Sequence, residues 1–267
     1  YNVALTEARN ELGGRVTREA TLPGLASYAR VSDWRLTQIE KLPNVECYPG
    51  SLVDEEQILE FGADRVVIAT GAPWRRDGTG RWLEAPVDGC ELPAVLTPDD
   101  IMDGTVPAGP VLVYDDDHYY MGGVIAERLR AAGLEVRIVT PANELSTWTT
   151  HTDEQFRIQA RILGLGIAVD TGLTLAGIDE TATRLECIYT GAVHEVETAA
   201  VVMVTSRTPV DSLYYSLEGR IDVTRIGDCL APGTIATSVY SGHQYAREMD
   251  ADPPADVRVL RERAVAP

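Results

Sequence analysis

Residues 224–250, TRIGDCLAPGTIATSVYSGHQYAREMD, decide how the fold is read. A short apolar strand ends in Gly227-Asp228, and a helix opens near Thr234. In doubly wound α/β proteins the ligand lies at the carboxyl ends of the strands, where helix N-termini point. The first turn of such a helix leaves backbone N–H groups unpaired and carries partial positive charge, so a pyrophosphate is stabilised there. Asp228, at the strand tip, can accept from a ribose or ribityl hydroxyl. Pro232-Gly233 lets the chain turn sharply and approach a ligand. A plain strand–loop–helix with a capping aspartate fits this segment equally well.

Working outward, YNVALTE (1–7) alternates and ends in an acid, which reads as a strand with Glu7 at its tip. In a dinucleotide fold such an acid sits about 20 residues after a glycine-rich turn and binds ribose hydroxyls. Here the pattern reads as a domain entered in its middle, with the glycine loop upstream. The turn Leu12-Gly13-Gly14-Arg15 follows. Its glycines allow close backbone approach, and Arg15 can meet a phosphate bidentately. Residues 32–42 have helical spacing in Trp34, Ile39 and Leu42, with Asp33 as a possible cap. Residues 45–53 read as a strand and 54–61 as a short helix. RVVIATG (65–71) is a continuous apolar run, as expected for a strand buried on both faces, with Gly71 at the ligand edge.

Residues 74–109 are rich in Gly, Pro and Asp and read as a crossing between domains that carries one helix, 97–102. A second βαβ unit spans 111–139, with a helix through Leu129 and a stop at Gly133. Its strand-to-helix turn is Asp115-Asp116-Asp117-His118-Tyr119-Tyr120, where a nicotinamide-binding turn has glycines. Three acids repel a pyrophosphate at close range. This unit therefore reads as a structural or docking domain without NAD(P). Residues 154–163 fit a helix. Residues 167–170, 173–178, 184–189 and 195–204 alternate like antiparallel strands. AAVVMVTSRTP (199–209) returns the chain to the first domain, and 234–249 form the closing helix. Residues 250–267 read as an arm or link.

The 267 residues carry a formal charge of −18, with 22 arginines and one lysine, Lys41. That charge excludes a nucleic-acid partner, which needs a basic face, and matches an anionic membrane poorly. No apolar run reaches the roughly 18 residues of a membrane span. Cys47, Cys90, Cys187 and Cys229 are scattered, without zinc or iron–sulfur spacing, and indicate a reduced, cytoplasmic protein. No catalytic group and no metal ligand is named among these residues, and His243 reads as a structural hydrogen-bonding group in the closing helix.

Glu7 with LGGR (12–15), ATGAPW (69–74), DGT (77–79), LTPDDIMDG (96–104), VYDDDHYYMGGVIAERL (113–129) and GDCLAPGTIATSVYSGHQYARE (227–248) together resemble the carboxy-terminal, ADP-binding part of the trimethylamine, dimethylamine and histamine dehydrogenases, which are iron–sulfur flavoproteins. The resemblance implies an α/β fold of two Rossmann-like nucleotide-binding domains, of the flavoprotein disulfide reductase type, the second inserted into the first. Residues 1–104 and 205–267 would form the ADP/FAD-type domain, lacking its first strand and glycine loop, and 105–204 the inserted NAD-like domain.

It further implies an amine dehydrogenase, of the histamine or trimethylamine class, that oxidises a small amine at FMN. The electrons pass through a 4Fe–4S cluster to an electron-transfer flavoprotein. FMN and cluster would lie in a preceding TIM barrel, and the enzyme would be a homodimer. ADP would rest here as a structural ligand. Carried over residue by residue, Glu7 takes the ribose, Gly14 and Arg15 lie by the phosphates, and Ala8 and Gly13 count with them as cofactor-binding. Ala69, Thr70 and Gly71 line the strand edge, Asp228 and Ile235 sit at the closing helix, and Leu52 and Val53 flank adenine. Tyr28 and Trp34, in ASYARVSDWRL (26–36), stand near the expected electron exit, though Tyr28 departs from the family alignment. The alternative is an NAD(P)H-dependent FAD reductase of the dienoyl-CoA reductase type, and a third reading is a nucleotide-free interaction domain.

Overall fold

The computed structural model describes residues 1–251; the expected arm lies, beyond residue 251, outside the described residues. In chain order the elements are β1 (Val3–Glu7), α1 (Arg15–Glu19), α2 (Ala29–Ile39), β2 (Val45–Pro49), α3 (Glu55–Phe61), β3 (Val66–Ile68), β4 (Val95–Leu96), α4 (Pro98–Met102), β5 (Val111–Asp115), α5 (Met121–Ala131) and β6 (Val136–Thr140). There follow α6 (Gln155–Gly164), β7 (Ala168–Thr171), β8 (Leu173–Ile178), β9 (Ala182–Cys187), β10 (Val193–Glu197), β11 (Ala200–Val204), α7 (Ser212–Leu217), β12 (Val223–Arg225) and α8 (Ile235–Glu248). The fold is α/β with parallel sheets.

The largest sheet has five parallel strands in the order β4-β11-β5-β6-β7. VLVYD of β5 and AVVMV of β11 are buried from end to end, as central parallel strands covered on both faces must be. Alternation sorts their side chains into two cores. Val111, Val113, Ala200, Val202 and Val204 join Met121, Ile125 and Leu129 of α5 and Ile162 of α6. Leu112, Tyr114, Val201 and Met203 pack against Leu175 and Leu185 of a three-stranded antiparallel sheet, β10-β9-β8. The Tyr114 hydroxyl lies 3.0 Å from Thr174 Oγ1 and ties the two sheets together. Leu22, Leu25 and Tyr28 reach the helical side of this core, which docks the amino-terminal segment against α5.

Two smaller parallel pairs, β1-β2 and β12-β3, complete the sheets. Asp54 caps α3 through a reciprocal box with Gln57, and Thr97 caps α4 in the same way with Asp100.

Several local expectations change. Helix α2 begins at Ala29, so Asp33 lies inside it and does not cap it. Trp34 and Leu42 are exposed, and the buried residue of that helix is Ser32. The 65–71 run forms only the three-residue β3, in which Ile68 is buried and Val67 exposed. β7 pairs in parallel with β6, not as part of the antiparallel group. Residues 195–204 split at Thr198 into β10, antiparallel, and β11, which enters the parallel sheet. β4 had no sequence signal, because two residues are too few to show a period.

Gly89 clamps the crossing segment to β8. Its φ is +83°, and a Cβ there would sit 1.9 Å from the Ile178 carbonyl oxygen. Gly89→Ala is expected to lower the unfolding free energy by about 2–4 kcal/mol, from backbone strain and overpacking together. Denaturant titration checks this, and a loss under about 0.5 kcal/mol would show that the loop is not clamped.

Candidate functional site: a cleft at the strand tips

Three strand ends carry the residues expected to meet a nucleotide. Glu7 closes β1, and its Oε1 accepts from the Arg9 N–H at 2.9 Å. The Ser51 N–H donates to the Glu7 carbonyl at 2.8 Å, and the Gly50 N–H to Arg9 O at 2.7 Å. These bonds set Gly50 and Ser51, which precede Leu52 and Val53, beside the Glu7–Arg9 backbone. Leu52 is 81% exposed, an apolar side chain with almost no protein cover.

The turn before α1 is made by Gly13, with φ +124°, and Gly14, with φ +57°. A Cβ on Gly13 would lie 2.6 Å from Thr17 Cγ2, while one on Gly14 or Gly71 would meet nothing within 4 Å. Gly13 is thus required by packing, and the backbone at Gly14 and Gly71 faces open space. Ala69 and Thr70 are exposed beyond β3. The Thr70 hydroxyl donates to the Val210 carbonyl, and the Val210 N–H returns to the Gly71 carbonyl at 3.0 Å. This is the seam along which the chain comes back: Arg75 N–H donates to Ser206 O, and Trp74 bridges Arg207.

Asp228 follows β12 in a 3-10 turn, Gly227–Cys229, and is buried. Beyond it, Thr234 caps α8 by accepting from the Thr237 N–H, and half-buried Ile235 opens the helix. Asp228 was expected as an acceptor for a ligand hydroxyl. Its own chain supplies four donors instead: Arg15 Nη1 at 2.8 Å and Arg207 Nη1 at 2.7 Å on Oδ2, and Gly233 N–H and Ser238 Oγ, each at 2.9 Å, on Oδ1. Arg15 and Asp228, far apart in sequence, are therefore in direct contact. Arg15 Nε also lies 3.0 Å from Glu19 Oε1. Glu19 is fully buried, and burial holds its pKa above the usual carboxylate range, against the pull of Arg15 and a 2.5 Å hydrogen bond from the Tyr120 hydroxyl.

Sequence reasoning missed Arg207, Glu19 and Tyr120. The one signal for Arg207 was a lone cation directly after a strand of uncharged, buried residues. Tyr28 stands edge-on to Tyr120, with ring centroids 5.7 Å apart, whereas Trp34 is exposed with Arg35 over its ring.

Residues 96–205 match the family model described as the OYE-like second alpha/beta domain. The chain is 34% identical to dimethylamine dehydrogenase of Hyphomicrobium sp. (strain x), over 98% of this chain and 40% of that protein. The structure of histamine dehydrogenase from Rhizobium sp. 4-9 superposes with a TM-score of 0.94 at 41% identity, covering 100% of this chain and 43% of that one. That of 6-hydroxypseudooxynicotine amine oxidase from Pseudomonas geniculata N1 gives 0.88 at 41% identity, covering 91% and 38%. The chain belongs to the dimethylamine and histamine dehydrogenase family. It corresponds to a carboxy-terminal portion and spans about 40% of the length of the curated relatives it matches.

In this member of the dehydrogenase family the acidic turn after β5 points inward. Asp115 and Asp116 are fully buried. The Asp115 carboxyl packs on α5 so closely that a Cβ on Gly122 would lie 2.6 Å from its Cγ. Asp115 Oδ1 accepts from the His118 N–H at 3.0 Å, and Asp116 Oδ2 from the Trp82 N–H at 2.8 Å. His118 Nε2 lies 3.2 Å from Asp116 Oδ1. Burial raises Asp115 to about 7 and Asp117 to about 6, with Arg81 and His118 pulling Asp117 back. The expected charge repulsion is therefore not the main property of this turn. Side chains fill the space that glycines would leave.

The Asp115 shift has a measurable consequence. Its folded pKa of about 7 lies above the ordinary 3.8. The folded chain thus holds an extra proton between those values, and this group's contribution to stability falls as pH rises through 7. Asp115→Asn is isosteric and keeps the His118 contact. It is expected to raise the Tm at pH 8 relative to wild type by about 2–4 °C, with a smaller gain at pH 5. Equal shifts at both pH values would refute the burial argument.

Proposed function

We propose that this chain is the nucleotide-holding portion of an amine dehydrogenase, which oxidises a small amine at FMN and passes electrons through a 4Fe–4S cluster to an electron-transfer flavoprotein. What carries the reading is likeness along almost the entire chain to amine-oxidising relatives. It is supported by the contact of Arg15, which follows the glycine turn, with Asp228 just beyond the last strand. ADP is the ligand we assign, held as a structural group. The enzyme is read as a cytoplasmic homodimer of the histamine or trimethylamine class. No helix among the described residues is long and apolar enough to cross a membrane.

The finer fold belongs to the same proposal. Among the described residues, 1–104 and 205–251 form one Rossmann-like domain, and 105–204 a second one inserted into it. In support, β1-β2 and β12-β3 are parallel pairs that share no hydrogen-bonded edge among the described residues. Val3, Leu5 and Val67 are exposed on them. A strand between β1 and β3, leading into a glycine loop, would make one continuous sheet of the two pairs and fill their open edges.

Within that site each residue has a task. Glu7 accepts from the ribose hydroxyls, with Ala8 beside it. Gly13 and Gly14 bring backbone to the phosphates, and Arg15 neutralises them. Ala69, Thr70 and Gly71 form the open strand edge. Leu52 and Val53 cover the adenine ring, and Ile235 supports the first turn of α8. Asp228 holds the two guanidiniums in place. When bound, FMN and the cluster supply the oxidation and the electron path. Among the described residues no three His, Cys, Asp or Glu side chains gather as metal ligands. No step of amine oxidation is assigned to this chain. The FAD reductase alternative requires an open nicotinamide turn at 115–117 and is disfavoured by the carboxyls packed there.

The test uses the full-length protein that carries this chain. Nucleotide released on denaturation should be ADP, near one per chain. Glu7→Ala should weaken ADP binding by about 10–100-fold, the worth of one or two hydrogen bonds to a charged acceptor. Unchanged affinity on calorimetric titration, or NAD recovered in place of ADP, would sink the proposal.

A further inference from the structure

Helix α1 is five residues long, too short to be stable by itself, and no side chain caps it. It follows the Gly13-Gly14 turn, both of whose residues have positive φ. Three of its side chains are anchored elsewhere. Arg15 meets Asp228, just beyond β12. The other two reach the body of the five-stranded sheet. Arg18, its side chain 14% exposed, donates through Nη1 to Asp99 Oδ1 at 2.7 Å and through Nη2 to the Asp99 carbonyl at 2.8 Å. Its Nη2 also lies 2.8 Å from Asp103 Oδ2. Glu19 Oε2 accepts from the Tyr120 hydroxyl at 2.5 Å. Asp99 lies on α4, which follows the edge strand β4 and buries Ile101 in one core with Met121 and Ile125 of α5. Tyr120 directly precedes α5, and Leu22 and Leu25, past α1, are buried in the same core.

We propose that the body of the five-stranded sheet positions the glycine turn of the nucleotide cleft, with Arg18 and Glu19 as positioning residues and Asp99 and Tyr120 as their anchors. This rests on the reading above that the Gly13-Gly14 turn meets the nucleotide. Residues 8–14 join β1 to α1 without helix or strand, and two glycines restrict the backbone weakly. The place of the turn is therefore set by where α1 is held. A planar guanidinium bonded through both Nη groups fixes direction as well as distance. The contacts also close on themselves. Arg15 bonds Asp228, Asp228 bonds Arg207, and Arg207 lies over the Trp74 ring, 5.4 Å from its centroid. The Trp74 N–H donates to Asp99 Oδ2 at 2.7 Å, and Asp99 holds Arg18. A closed ring has no free end, so α1 cannot shift without breaking one of its members. The five-stranded body thereby has a task in the cleft without holding a ligand of its own.

The experiment uses the full-length protein that carries this chain, stripped of nucleotide. ADP binding is measured by calorimetry and amide hydrogen exchange by mass spectrometry. In wild type, ADP should slow exchange in 98–103 and 118–122 as well as in 13–20, because coupling between two places is reciprocal. Arg18→Gln should weaken ADP binding by at least about fivefold and remove the slowing in 98–103, with exchange in β5 and β11 unchanged. Arg18→Lys, which keeps the charge and loses the fork, should fall between the two. Wild type in which ADP protects 13–20 but not 98–103 would overturn the inference, and that arm needs no variant to fold. Arg18→Gln with wild-type affinity would overturn it too, while leaving the nucleotide site standing. Weaker binding accompanied by faster exchange throughout β5 and β11 would mark general unfolding and count against it. Wild type that binds no ADP would remove the nucleotide reading and the inference together.

Discussion

The Asp228 carboxylate is the point on which the cleft depends. A buried charge is tolerated only when it is paired and its remaining acceptor sites are filled. Here the partners come from three separated stretches: Arg15 after the first strand, Arg207 on the returning segment, and Gly233 and Ser238 around the last helix. One ion cluster thus holds the beginning and end of the described chain in one geometry. Removing Asp228 would leave the nearly buried Arg207 without its charge partner.

The cluster does not stop at Asp228. Arg15 reaches Glu19, and Glu19 accepts from the Tyr120 hydroxyl at the start of α5. The cleft is thereby connected to the five-stranded sheet by alternating charge and hydrogen bond, and Leu22, Leu25 and Tyr28 add apolar contact along the same line. The acidic turn beside Tyr120 follows a different rule. Asp115 and Asp117 lack a neighbouring cation close enough to offset burial, so their carboxyls hold protons near neutral pH. Two acid-rich places in one acidic chain therefore differ in kind: one is paired with arginines, the other packed without a close cation.

Much of the site was legible locally. Glu7, Gly13, Gly14, Arg15, Gly71 and Asp228 each sit where a strand ends or a turn needs glycine, and strand ends can be read from apolar runs broken by Gly, Asp or Glu. The βαβ unit from β5 to β6 was equally plain, because Met121, Ile125 and Leu129 repeat at helical spacing between two continuous apolar runs. Helix α2 shows the reverse. The helical spacing of Trp34, Ile39 and Leu42 marked the helix, yet Trp34 is exposed and Leu42 lies beyond its end, because spacing records a period and not what covers it.

From the sequence alone came the first and last strands with their tip acids Glu7 and Asp228, the βαβ unit of 111–139 and the closing helix. These follow from side-chain periodicity and turn chemistry, which act over a few residues. The tertiary structure alone decided that β7 runs parallel to β6, that the two-residue β4 joins the sheet edge, and that Arg207 lands on Asp228. Each is a pairing between distant segments, made by hydrogen bonds and ion pairs whose partners are chosen only when the sheets assemble.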